Sequence, residues 1–152
     1  MATINLALNV QVVGGPKVLI SKPISVEAYD KIEVAIDTGV TGKTVEIQPG
    51  GTTQVSFLLI ESSVYNSDLK YAVSDGEGGS ADSSDISLDQ PHFYFGMGAV
   101  SALGVAPKIL KFTNNSGQQA AIGILVGRDA TPAPTPAPTP TPAPAPTPAP
   151  TP

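Results

Sequence analysis

Thr3-Ile4-Asn5-Leu6-Ala7-Leu8-Asn9-Val10-Gln11-Val12 alternates without a break. Ile4, Leu6, Leu8, Val10 and Val12 fall on one side of the alternation, and Thr3, Asn5, Asn9 and Gln11 on the other. Successive side chains of a strand point to opposite faces of its sheet, so a period of two predicts a long, half-buried strand. Gly14-Gly15-Pro16 ends it, because glycine and proline break regular pairing.

The same period recurs outward from this segment. A short strand is expected over 18–20, then Ile24, Val26 and Ala28 alternate with Ser25, Glu27 and Tyr29. Ile32, Val34 and Ile36 against Lys31, Glu33 and Asp37 make the clearest short strand, with 44–48 read as its hairpin partner across a glycine turn. Residues 52–61 follow the breaker Pro49-Gly50-Gly51. Their centre, Phe57, Leu58, Leu59 and Ile60, is apolar on both faces, which predicts an interior strand or one covered by a neighbouring subunit. Further strands are expected over 69–73 and 86–88. A closing hairpin joins 108–113 to 119–126 through Asn114-Asn115-Ser116-Gly117. Only 96–104, inside the aromatic and then Gly/Ala-rich stretch 91–106, offers a helical turn or two. Eight or nine short strands and no helix of length predict an all-β fold, an antiparallel sandwich or jelly-roll-like barrel.

Composition changes abruptly after Asp129. From Pro132 to Pro152 every even position is proline and every odd one Thr or Ala, so a domain over 1–129 is expected to carry a low-complexity tail over 130–152. Proline fixes its own φ and pushes the preceding residue into the extended region. Such a tail is a polyproline II rod at about 3.1 Å per residue, with a reach of roughly 70 Å. A spacer, a solvated brush, an O-glycosylated stalk and a ligand for aromatic grooves are all compatible with that composition.

Charge and residue inventory exclude several functions. The net charge is −5, with one arginine, Arg128, among eight cationic residues that do not cluster. Nucleic acid and anionic membrane both require clustered cations, so neither is an expected partner. With no cysteine there is neither disulfide nor thiolate site. No basic leader followed by a continuous apolar run opens the chain, and no classical signal peptide is expected. No apolar run of about 18 residues spans a bilayer.

Three segments invite chemistry. Asp75, Glu77, Asp82 and Asp85 form an acidic loop whose oxygens suit calcium, although the spacing matches neither the EF-hand nor the glycine–aspartate repeat. His92 is the single histidine, and no nucleophile-elbow motif accompanies it. It is therefore expected to be a packed or interface residue. Phe93, Tyr94 and Phe95 are consecutive, so on a strand at least one ring faces away from the core. Core packing, a subunit interface and sugar stacking are the readings open to that cluster. Asn114-Asn115-Ser116 fits the glycosylation triplet and reads as a turn. No cofactor and no catalytic activity are expected.

The runs Phe112 to Asp129 and Ser56 to Ser63 resemble segments of small β-rich virion structural proteins of tailed phages. The likeness lies in a short cysteine-free β domain whose last strands lead into a low-complexity end. It implies a homo-oligomeric decoration or tail component, in a virion or extracellular assembly, whose partner is itself and which has no catalytic residues. Phe57, Leu58, Leu59, Ile60, Phe93, Tyr94 and Phe95 are then the interface candidates, with the first strand available for strand addition. From a different class, a carbohydrate-binding or adhesion module on a Pro-Thr linker also fits the architecture, against the absence of tryptophan.

Overall fold

Cross-strand registers in the computed structural model, which describes residues 1–48, 55–77 and 81–129, sort ten strands into three sheets. The strands are β1 (Ala2–Gln11), β2 (Lys17–Val26), β3 (Ala28–Ile36), β4 (Val40–Glu46), β5 (Val55–Ser62), β6 (Leu69–Ser74), β7 (Ile86–Ser87), β8 (His92–Phe95), β9 (Ile109–Asn114) and β10 (Ala120–Arg128). One short helix, α1 (Met97–Ser101), follows β8. Two four-stranded sheets, β3-β10-β5-β8 and β4-β9-β6-β7, face each other, and β1 and β2 form a separate two-stranded arm. Every pairing is antiparallel. The fold is thus all-β and sandwich-like, the first of the two antiparallel architectures the alternation left open. The breaker Pro49-Gly50-Gly51, the middle of the acidic loop and the proline tail lie outside the described residues.

Alternation explains the core. Ala120, Ile122, Ile124 and Val126 of β10 are all buried, and register puts Ile36, Val34 and Ile32 of β3 beside the first three of them. Leu58 and Ile60 of β5 continue the same face. The opposite sheet contributes Leu69, Tyr71, Val73, Leu110 and Phe112. Each fully buried Leu, Ile or Phe contributes about 1.5–3 kcal/mol relative to an exposed one, so this layer is the main stabilising contact.

Two expected hairpins are corrected by the topology. β3 and β4 lie in different sheets, and so do β9 and β10. Both connections are arches that cross the sandwich. A period of two states which side chains point inward, and it is identical whether the next strand lies alongside or opposite. The arches are closed by one buried residue, Asn114. Its Nδ2 donates to the carbonyls of Ile36 (2.9 Å) and Gln118 (2.7 Å), one at the end of each incoming path. Its Oδ1 accepts from the Ser116 amide (3.0 Å) and hydroxyl (2.6 Å). Its own carbonyl accepts from Gly39, whose φ of +78° the first arch requires. Fully buried and fully bonded, Asn114 is committed to the turn and not exposed for a glycan.

A buried donor lost without replacement costs about 1–3 kcal/mol. Asn114→Ala is therefore expected to lower unfolding stability by at least that amount in urea titration, whereas Asn115→Ala next to it leaves the midpoint nearly unchanged.

Candidate assembly surface

β2 and β3 are one path interrupted only at Glu27, whose amide bonds the Arg128 carbonyl at 3.1 Å. Up to Val26 the path pairs with β1, and from Ala28 it pairs with β10. The arm closes through Val12–Pro16, where the Val12 amide bonds the Pro16 carbonyl (3.0 Å) and Gly14 takes a positive φ.

Cross-strand partners share a face in an antiparallel pair. Ala2↔Val26, Ile4↔Ile24, Leu8↔Ile20 and Val10↔Val18 make one side of the arm apolar, with only Leu6↔Lys22 mixed. Thr3↔Ser25, Asn5↔Pro23 and Gln11↔Lys17 make the other side mostly polar. Cover for the apolar side runs out along the arm. Val26 is 1% exposed at the base, whereas Leu8 is 40%, Ile20 44%, Val10 50% and Val18 53% exposed. The half-buried first strand expected from sequence is thus half-buried only as far as Leu6.

Gly127 seats the base on the outer face of the β3-β10-β5-β8 sheet. A Cβ there would stand 2.9 Å from Val26 Cγ1, 3.0 Å from Ile4 Cδ1 and 3.2 Å from Phe57 Cβ, so the strand must carry glycine for the arm to lie this close. Phe57 is buried under this contact. Phe93 meets Phe57 edge-on at 5.5 Å and stacks on Phe95 at 6.2 Å, and the Lys22 ammonium lies 5.6 Å from the Phe95 ring.

The interface candidates consequently divide by strand parity. Leu58 and Ile60 are in the core, Tyr94 packs against it, and β5 is an interior strand between β10 and β8. Phe57 is covered by the chain's own arm. Leu59, Phe93 and Phe95 lie on the outer face, with Phe93 38% exposed. Sequence reasoning offered the first strand for edge pairing but missed the exposed apolar side of the distal arm. Its signal was present in two alternating runs of similar length around Gly14-Gly15-Pro16, a hairpin with no third run to cover it.

The same outer face has a second glycine seat. Gly123 lies four residues before Gly127 on β10, and a Cβ there would stand 2.8 Å from Glu61 Oε1. Glu33, Ala35, Glu61, Ser63 and Ala121 surround it, lining an open trough of about 450 Å³. Glu33 is paired with Lys31 at 2.8 Å, which holds its carboxyl below the usual range.

His92 is half-buried in a polar tie between the sheets. The Tyr71 hydroxyl of β6 bonds His92 Nδ1 and the Tyr94 hydroxyl of β8, both at 2.8 Å. Burial, then the bond to Tyr94, pushes the Tyr71 hydroxyl above the ordinary tyrosine range, so it stays protonated. The acidic-loop residues are not gathered. Asp82 bonds Lys111 (2.6 Å) and Glu77 bonds Lys108 (3.0 Å), while Asp75 accepts from the Glu77 amide. The Lys111 bond, then one from Ser74, holds the Asp82 carboxyl below its usual range. Among the described residues no three His, Asp or Glu side chains are arranged to hold a metal ion, and no helix is long and apolar enough to cross a membrane. Comparison with protein-family models, curated proteins and solved structures finds no match for this chain.

Two outcomes follow from this geometry. Gly127→Val forces its methyls into Val26, Ile4 and Phe57, and overpacking of this kind costs about 1–3 kcal/mol. Hydrogen exchange of the β1 and β2 amides is expected to accelerate more than that of β9. Tyr71→Phe leaves His92 and Tyr94 without their shared partner and costs about 1–3 kcal/mol. A folded pKa raised above the unfolded value stabilises below about pH 10 and is lost as pH rises further. The melting temperature of the parent chain should therefore fall more steeply above pH 10 than that of Tyr71→Phe.

Proposed function

We propose that this chain is a non-enzymatic structural subunit that assembles with copies of itself, as a virion decoration or tail component or an extracellular filament does. The observation that carries the reading is the uncovered apolar side of the arm. An isolated two-stranded hairpin is at best marginally stable in water, and a contiguous exposed apolar surface marks a contact surface. Leu8, Val10, Val18 and Ile20 give this arm such a surface beyond the reach of its own sandwich. The proline tail is then a projecting spacer or a lace between neighbours. His92, the residue an enzymatic reading would need, is engaged in the tie between the sheets. A carbohydrate-binding reading retains one favourable observation, the stacked Phe93–Phe95 pair on the outer face, although Lys22 already lies over Phe95.

Size-exclusion chromatography with light scattering on the full chain is expected to give a defined oligomer or a polymer at micromolar concentration. A version ending at Asp129 should behave alike, because the arm lies within it. A monomer at every concentration would overturn the homomeric reading. Retention on insoluble polysaccharide by that monomer, lost in Phe93→Ala, would favour the alternative.

A further inference from the structure

We propose that the arm is exchanged head to tail. Its apolar side lies on the outer face of the β3-β10-β5 strands of a second copy, over Gly123. This rests on the homomeric reading and adds to it the receiving surface and the symmetry class.

Charge selects the occupant. Residues 1–26 hold Lys17 and Lys22 and no carboxylate, a net +2 in a chain of net −5, so the remainder carries −7. A basic arm on an otherwise acidic body complements another copy of that body and not another arm. The trough at Gly123 presents Glu61 and Glu33, the latter paired with Lys31, and of the arm's two lysines Lys22 lies on the apolar side and Lys17 on the polar one.

Area disfavours the alternative in which two arms stack face to face. Ten residues per strand at about 3.4 Å, and two strands about 4.8 Å apart, give an arm face on the order of 300 Å². A stable interface takes about 800 Å² from each partner. A head-to-tail contact uses the same arm face at each interface, and the flanks of the trough add to it, which a stack of two arms lacks.

The molecule itself shows how such a contact is made. The base of the arm reaches its own sheet where Gly127 leaves room for Ile4 and Val26. Gly123 is on the same strand and points to the same face, flanked by Ala121 and Ala35 and roofed only by the Glu61 side chain. Seat and arm thus recur as a matched pair, one used within the chain and the other between chains. Where each copy lends its arm to one neighbour and receives an arm from another, the contact is heterologous and generates rings or open filaments, whereas reciprocal exchange between two copies would close a two-fold dimer.

The test uses three full-length proteins: the parent chain, an arm variant (Leu8→Asp with Ile20→Asp) and a trough variant (Glu33→Lys with Glu61→Lys). All four positions are solvent-accessible, and unchanged melting curves confirm that each protein folds; Val18→Lys is the milder arm variant if the first does not. Each variant alone is expected to be monomeric, with its assembly midpoint raised about 30-fold or more. Mixed one to one, they should form dimers and nothing larger, since the mixture contains one intact arm and one intact trough per pair. A monomeric parent chain overturns the homomeric reading itself. A parent chain that assembles while the arm variant assembles equally well overturns the arm's role alone. An arm variant that is monomeric beside a trough variant that still assembles overturns the arrangement in favour of arm-to-arm contact, a mixture that stays monomeric overturns the pairing of arm with trough, and a parent chain that stops at a dimer overturns the head-to-tail symmetry in favour of reciprocal exchange.

Discussion

The sandwich depends on one buried amide. Of the connections that carry the chain from one sheet to the other, two, β3–β4 and β9–β10, meet at this residue. Asn114 satisfies one carbonyl from each arch with a single Nδ2 and binds its own turn with Oδ1. An apolar residue of the same size would fill the space and leave those carbonyls unpaired, a cost comparable to losing the bonds outright. The faces of the two sheets are then brought together by apolar burial, and Tyr71 adds a polar tie from β6 to β8 where the aromatic layer is thickest.

Period-two alternation makes the strands, their inward faces and the fold class legible in the sequence alone. It located β1, β3, β5, β6, β7, β9 and β10 and parts of β2 and β4, and found the helical turns near α1. It did not convey which strands are neighbours. A hairpin and an arch demand the same pattern of inward residues, and the difference resides in a few turn residues such as Gly39 and Asn114. β8 was lost for a related reason. Four residues with four aromatic rings show no alternation of polarity, although they alternate strictly in direction, with Tyr94 inward and Phe93 and Phe95 outward.

The surface was less legible than the core, again for a physical reason. Apolar residues at every second position signify one face that avoids water, and local sequence is silent on what covers that face. For β10 the cover is the facing sheet. For Ile4 and Val26 it is Gly127 and Phe57, and the described residues leave Leu8 and Val10 40% and 50% exposed. The interface candidates among residues 57–60 were chosen for being apolar on both sides, yet half of them face the core and Phe57 is covered by the arm. The acidic loop drew attention through composition, and its carboxylates Glu77 and Asp82 turned out to be matched to Lys108 and Lys111 from β9 and the residue preceding it.

The continuity of β2 with β3 has a mechanical side. A pull applied at the arm tip passes along an unbroken backbone into β3, which is held to β10 by nine consecutive residue pairs. Force directed along those strands loads the pairs together, in shear, and does not open them one after another like a zipper. The same pull directed across the sheet would peel β3 from its edge position pair by pair. The arm is therefore a strong tether along its own axis and a weak one across it.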